Sequence, residues 1–442
     1  MFSKYRSLSG LCLLALSVFS THVHALTVDE LAAQFESYKK QQALEFEKIR
    51  SENQALVAQN KTLKKALKNT QAQVENNAVA FETVADAFAE SDSGSNWTND
   101  TSIGGYGELH YTNLSTEKTS GNGHEESVDF HRYVLFFNHE FNDKLRLFTE
   151  LELEHSIAGD GKKGEIELEQ AWLQYDITSN AAVRAGILLM PVGILNEIHE
   201  PDTFYGVDRN LVETKIIPAT WWEAGLAGQY QFDNGLQVDA MISSGLDMSD
   251  NFYIRGARQK VSKQEANDPL FALRLKYTGI TGLRLSGTIM HQTDMAQSSV
   301  NNAVDVGSGT LVETHAIYNR HIGPGTFTTK ALFSQWFIDV NDAAAQGADN
   351  QTGYFLEPSY RIPTAYGDVG IYGRYSYLDY YKRSLKDGIY SGGASEYDVW
   401  EGGLNWWINK NVVVKADWQH QDKRNGVGDK NGFNLGLGYQ FY

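Results

Sequence analysis

The chain has 442 residues, a formal net charge of −17, 12% aromatic residues, 40 glycines, 7 prolines and a single cysteine, Cys12. An acidic chain without clustered basic residues is unsuited to nucleic acid, and one cysteine excludes a disulfide framework. Beyond the first 25 positions no apolar run approaches the roughly 18 residues of a membrane-crossing helix.

In chain order, residues 1–25 read as a secretory signal peptide. Lys4 and Arg6 form a basic start, Leu11 to Phe19 an apolar core, and Val23-His24-Ala25 a small-residue cleavage pattern. Removing it takes the charge from −17 to −19, because Lys4 and Arg6 leave and no acid leaves with them. Cys12 sits inside the apolar core, which argues against a lipid-modified cysteine. Residues 26–76 contain neither Gly nor Pro. Val28, Leu31, Phe35 and Tyr38 recur at helical spacing, and a second phase follows through Phe46, Ile49, Asn53, Leu56, Asn60, Leu63, Leu67 and Val74. The eleven-residue step from Phe35 to Phe46 reads as a stutter in a periplasmic coiled coil. Asn53 and Asn60 at core positions would set its register. A single amphipathic helix lying on another surface has the same pattern. Residues 77–100 read as a short helix and a polar linker, and all seven prolines fall at or after Pro191.

From Thr101 the period becomes two. Leu145, Leu147, Leu151 and Leu153, with Thr149, alternate with Arg146, Phe148, Glu150, Glu152 and Glu154, so one face is oily and the other charged. "LQVDAMIS", "LFALRLKY", "LRLSGTI" and "VVVKADWQ" alternate as cleanly, whereas "HRYVLFFNHEF" and "IELEQAWLQY" are noisier and suggest bulges. Sixteen candidate strands result. Seven short connections, such as 142–144 and 409–411, alternate with eight long ones at about 115–126, 156–164, 191–222, 246–268, 293–309, 340–351, 381–395 and 422–431. A soluble β-sandwich also alternates. The dense charge on the polar faces and the short–long rhythm point instead to an all-β transmembrane barrel of 16 antiparallel strands, residues 101–442, preceded by the helical segment. The last strand, "GFNLGLGYQFY", puts Phe433, Leu435, Leu437, Tyr439 and Phe441 on one face, with Tyr442 after the terminal phenylalanine pattern.

"GGYGELHY" (104–111), "VLFFNHEFNDKLRLFTELELEH" (134–155), "GILLMPVGILNEIHEPDTFYGVDRN" (186–210) and "IIPATWWEAG" (216–225) resemble bacterial outer-membrane porins, most closely the phosphate-selective porin O/P-like family. The resemblance implies a 16-stranded barrel in the outer membrane of a Gram-negative bacterium, a homotrimer that passes small hydrophilic solutes. It also implies a third outer loop folded inward as a constriction, and 191–222 is the longest connection. The phosphate label transfers poorly, because this loop carries Glu197, Glu200, Asp202, Asp208 and Glu213 against Arg209 and Lys215.

The residues expected at the constriction are Glu197, Glu200, Asp202, Asp208 and Arg209. Those expected on the pore wall are Arg146, Glu150, Glu152, Arg184, Arg274, Arg284, Lys330, Arg374 and Lys415, with Lys276 and Glu154 also inward. An acidic loop facing a basic wall suggests weak cation preference, or little preference. Oxyanion selectivity, and a coiled coil that mainly ties the barrel to the cell wall, are the competing readings. The partners expected are outer-membrane lipid and further copies of the chain. The histidines look scattered, and no nucleophile motif, phosphate loop, cofactor motif or clustered metal ligands stand out. The tryptophans, Trp221, Trp336, Trp400 and Trp418 among them, read as an interfacial girdle or barrel filling.

Overall fold

The structure is a computed structural model and describes residues 28–90, 100–116, 123–159, 161–248, 252–297, 306–340, 347–386, 389–424 and 428–442. The expected signal peptide and residues 91–99 of the expected linker lie outside the described residues. The chain divides into two compact units, 1–95 and 96–442.

In the first unit, α1 (Val28–Glu90) is one unbroken helix of 63 residues, about 95 Å long at 1.5 Å per residue. It continues through 77–90, where a separate short helix was expected. "VENNAVAFETVADAFAE" contains no Gly or Pro, so nothing in the backbone ends the helix there. Phe35, Phe46, Ile49 and Leu56 are all exposed, so this helix leaves an apolar row uncovered within one chain. No helix among the described residues is long and apolar enough to cross a membrane.

The second unit is a closed antiparallel barrel of 16 strands in chain order. They are β1 (Thr101–Thr116), β2 (Gly123–Asn142), β3 (Leu145–Glu154), β4 (Ile166–Asp176), β5 (Ala181–Leu189), β6 (Trp222–Gln231), β7 (Leu236–Ser243) and β8 (Leu270–Ile280). Then come β9 (Leu283–Gln292), β10 (Val306–Ile322), β11 (Gly325–Val340), β12 (Asn350–Thr364), β13 (Gly367–Lys386), β14 (Ile389–Asn409), β15 (Val412–Lys423) and β16 (Lys430–Phe441). β1 pairs with β16 from Gly105↔Phe441 to Thr116↔Lys430, so no sheet edge remains. Seven tight turns lie at one rim and the long connections at the other. At the β9 turn Gly282 has φ +79°, and a Cβ there would sit 2.4 Å from the Asn319 carbonyl. One expected long connection is corrected. The segment 381–395 is mostly strand, because β13 and β14 stay paired out to Lys386↔Ile389.

The burial pattern decides which face is which. Leu151, Leu273, Leu275 and Ile289 are 45–49% exposed, while Glu150, Glu152, Arg274 and Arg374 are at most 3% exposed. Oily residues outside and charges inside invert a soluble sandwich and match a barrel with hydrocarbon around it. Trp400, Trp406 and Trp418 face outward, whereas Trp221 and Trp336 are fully buried inside.

Bulges fall in the two segments whose alternation is noisy. The β1–β2 register slips so that His131 is an extra residue between Arg132 and Phe130. The β3–β4 register slips between Gln170 and Leu168, making Glu169 the extra residue. Each bulge turns two consecutive side chains toward the lumen. If the leucine row faces lipid, Leu275→Arg, at mid-strand in β8, loses about 2–4 kcal/mol of stability in urea titrations of the vesicle-inserted barrel. An unchanged midpoint would place that row elsewhere.

Candidate functional site

The third long connection, 190–221, is closed at its neck by Asn196. The Asn196 side chain donates to the carbonyls of Met190 (2.8 Å) and Trp221 (3.0 Å) and accepts from the Trp221 amide (2.7 Å). A short helix, α2 (Leu211–Lys215), is capped by Asn210, whose side chain accepts from the Glu213 amide at 2.9 Å. Glu213 is wholly buried and accepts from the amides of Ile194 (2.6 Å) and Leu195 (2.7 Å) and from the Asn210 side chain (2.9 Å). Burial, the largest influence, raises its carboxyl pKa against these donors.

From this neck the segment runs along the inward rows of the barrel. Thr288 of β9 donates to the Pro191 carbonyl (3.2 Å), and Trp336 of β11 donates to that of Ile216 (2.9 Å). Trp407 and Asn405 of β14 donate to the carbonyls of Asp202 (3.0 Å) and Phe204 (3.1 Å). Lys415 of β15 donates to the Gly206 carbonyl (2.9 Å), with its Nζ 3.6 Å from the Phe204 ring centre, and Asp417 accepts from the Val207 amide (2.6 Å). Near the long-loop rim, Val212, Ile216, Ile217 and Trp221 pack with Leu246, Met290, Leu311, Trp336 and Phe355 in one apolar cluster.

Of the acids expected at the constriction, Glu197 and Asp208 have side-chain ion-pair partners. Glu197 is ion-paired with Arg274, which also bonds Asp239 at 2.9 Å. Burial opposes ionisation of Glu197, but Arg274 outweighs it and holds the carboxyl below its ordinary value of 4.5. Asp208 meets His110 Nδ1 at 3.2 Å and is likewise held low against burial. Burial raises Asp202, and Glu200 Oε2 is buried without a hydrogen-bond partner. Arg209 donates to Thr220 Oγ1 (2.7 Å). By linkage, the Glu197–Arg274 anchor is present above about pH 4.5 and fades as pH falls through the depressed value.

The residues expected on the wall differ in their pairing. Arg146 is ion-paired with Asp176, Glu152 bonds Arg132 at 3.4 Å, and Arg374 bonds Glu357 (2.8 Å) and Glu401 (2.7 Å). Arg184 donates to Gln174 (2.6 Å) and Gln229 (3.3 Å), and Lys330 is 3.7 Å from Glu357. Arg284 and Lys276 have no carboxylate in ion-pair range among the described residues. Both line a cavity of about 140 Å³ between residues 193–198 and β8–β11, together with Arg274, His315, Lys330 and Glu197. A second cavity of about 510 Å³ shares Thr203, Arg284, Ile317 and Lys330 and reaches Pro324 and Pro363 at the tight-turn rim.

The reading of scattered histidines without clustered ligands is corrected. His110 and His131 stack at 4.7 Å, and the His131 and His155 rings meet edge-on at 5.6 Å. His131 and His155 Nδ1 lie 3.2 and 2.8 Å from Asp129 Oδ2. His199 meets Glu150 and Glu169. Apart from Asp129 and His131, two positions apart, these residues come from separate segments, and the local signal was the broken alternation at the two bulges.

No protein-family model matches the chain. An uncharacterized protein of Aquifex aeolicus (strain VF5) is 28% identical over 338 residues, 73% of this chain and 76% of that protein. Two solved structures are similar in fold. One is a loop L8 deletion mutant of OmpT, an outer membrane protein of Vibrio cholerae (TM-score 0.50, 13% identity, 77% of this chain and 99% of that one). The other is an anion-selective porin from Comamonas acidovorans (TM-score 0.50, 9% identity, 77% and 99%). At such identity the likeness is one of fold, that of an outer-membrane β-barrel.

Glu213 is central to the loop's internal bonding. Glu213→Ala strands two buried amides and removes a charged acceptor, at about 1–3 kcal/mol for each group left unsatisfied. Hydrogen exchange of residues 190–221 should rise by at least tenfold while the strands stay protected. Unchanged exchange would mean that the loop is held by its wall contacts alone.

Proposed function

We propose that the chain is an outer-membrane porin, a passive water-filled channel for small hydrophilic solutes and ions. In this reading the segment 190–221 is its constriction, with Glu197, Glu200, Asp202, Asp208 and Arg209 at the narrow point. The single observation that carries the reading is a closed barrel, oily outside, whose lumen holds a cavity lined by charges that are not fully paired. Width and rings of charge set selectivity in such pores.

Sequence alone suggested weak cation preference or little preference. The geometry favours anions. Cations lining the two cavities are Arg274, Lys276, Arg284, Lys330 and Arg361, against Glu197, Asp202 and Asp368. Glu197 and Arg274 cancel each other, as do Asp368 and Arg361 at 2.9 Å, which leaves Lys276, Arg284 and Lys330 against Asp202. The solved barrel from Comamonas acidovorans is named anion-selective. Phosphate or oxyanion selectivity, which the porin O/P resemblance suggests, is the second reading. It is favoured by Lys276 and Arg284, cations without carboxylate partners beside one small cavity.

We also propose a homotrimer in which α1 pairs with its counterparts in the periplasm as a coiled coil. The exposed row Phe35, Phe46, Ile49 and Leu56 supports this. So do β5, β6 and β7, of 9, 10 and 8 residues, which barely reach the about 9–11 residues a bilayer needs and suit a protein-covered side. Cell-wall contact through α1 is the competing role of that helix.

In planar bilayers under a KCl gradient, the wild-type channel should give an anion-selective reversal potential. The Lys276→Gln, Arg284→Gln, Lys330→Gln triple variant should shift it toward cations, on the order of twofold in permeability ratio. No conductance would discard the channel, and an unmoved potential would discard the role of these cations. Block of chloride current by phosphate would select the oxyanion reading. Deleting residues 28–90 should lower the oligomer size in detergent and leave single-channel conductance unchanged; an unchanged oligomer would leave the tethering role.

A further inference from the structure

Glu150, Glu169 and His199 meet beneath the third long connection, and their ligating atoms all lie within 4.8 Å of one another. His199 Nε2 is 3.3 Å from Glu150 Oε1 and 3.7 Å from Glu169 Oε2. None of the three residues is more than 3% exposed. His199 Nδ1 lies 3.2 Å from the Asn196 carbonyl, which can only accept, so Nδ1 carries the hydrogen. In the neutral ring Nε2 then offers a lone pair. Carboxylate oxygens are acceptors too, so unless a proton is taken up three lone pairs face one another with no donor between them.

Among the described residues no arginine or lysine pairs directly with this group, although Arg132 and Arg209 act on it from farther away. Glu108 and Glu152 share Arg132, at 2.7 and 3.4 Å. Glu150 and Glu169 have no such partner, and Glu169 Oε2 has no hydrogen bond although it is fully buried. The Tyr106 hydroxyl is also buried and unbonded, and its ring stands edge-on to His199 at 6.1 Å. A buried carboxylate without a compensating charge or donor is strongly disfavoured. A cation at the point where the lone pairs converge removes the conflict.

We infer that Glu150, Glu169 and His199 form a binding site for a divalent transition-metal cation of the Zn²⁺ class, which clips the third long connection to the barrel wall. One imidazole and two carboxylates are a ligand set that such ions accept, with an open position left for water. A tetrahedral ion with bonds of about 2.0–2.1 Å holds its donors roughly 3.3 Å apart, close to the 3.3 and 3.7 Å found here. The ligands are also oriented from behind, as metal ligands are. Asn196 fixes the His199 tautomer, Gln170 donates to Glu150 Oε2 at 2.5 Å, and Trp172 donates to Gln170 at 3.0 Å. The bulge in β4 makes this possible, since it turns Glu169 toward His199 and the next residue, Gln170, toward Glu150.

A nearby group, Asp129, His131 and His155, is the internal control. It is more exposed, and its carboxylate already accepts from both rings. The test is the metal content of the full-length protein, extracted in detergent without chelators, incubated with Zn²⁺ and dialysed, then read by mass spectrometry. The wild type should retain about one ion per chain. Glu169→Gln and His199→Gln should lower retention at least about tenfold, while the His131→Gln, His155→Gln double variant keeps it. X-ray absorption of the loaded wild type should show one imidazole in an N/O shell, and it decides the matter if Glu169→Gln fails to fold. A metal-free wild type, full retention in Glu169→Gln, or a two-imidazole shell would overturn the site. These readings are independent of conduction, so they stand or fall apart from the channel assignment.

Discussion

Hydrocarbon offers no hydrogen bonds, so a chain that enters it must pair every backbone amide and carbonyl internally. For strands this means that the sheet must close, and the β1–β16 ladder closes it. Everything else follows from that closure. Once the sheet is a cylinder, one row of each strand faces out and the other faces in. The outward rows are then free to be leucine and isoleucine, and the inward rows must carry whatever chemistry the protein has. A charged side chain pointing inward is sheltered from lipid but crowded by its neighbours, which is why so many inward charges here are paired or hydrogen-bonded.

A regular cylinder would place inward side chains at every second position and no closer. The two bulges break this rule where the chemistry is densest. At Glu169 and at His131 an extra residue turns two consecutive side chains inward. Both bulges lie on the β2–β4 side, where carboxylates and imidazoles gather, while the wall from β8 to β11, whose register shifts fall near strand ends at Tyr277/Ile280 and Val306/Gly309, carries Arg274, Lys276, Arg284 and Lys330. The barrel is thus asymmetric in both geometry and charge, and the inward connection binds both sides: His199 reaches the acidic side and Glu197 the basic side.

The strand architecture could be read from the sequence because it depends on local rules. Alternation in "LQVDAMIS" or "LFALRLKY" needs only the two-residue period, and turns such as Asn409 to Asn411 need only local chemistry. The noisy segments "HRYVLFFNHEF" and "IELEQAWLQY" announced irregularity but not its consequence. The extended β13–β14 hairpin was misread as a loop, because its polar, glycine-bearing residues 381–395 look like one, although the backbone stays paired. The site was legible only as a list of charges. That Glu150, Glu169 and His199 converge depends on a slip in register and on a connection that crosses the lumen, and neither is a local property. The continuous α1 shows the opposite error, a boundary placed where no residue compels one.

Counting all charges and counting only the unpaired ones give different expectations, for a related reason. The third long connection carries more acids than bases, which taken alone points to a cation pathway. But a charge contributes to the field in a channel only to the extent that its neighbours do not cancel it. Glu197 is cancelled by Arg274, Asp208 faces His110, and Glu213 is turned into the loop's own backbone. These acids hold the loop in place, and holding it uses up their charge. Lys276 and Arg284 have no comparable structural task. On the proposed reading the residual field beside the loop is positive even though the loop and the whole chain are acidic, and the side chains that would build the constriction are largely different from those that would give it its sign.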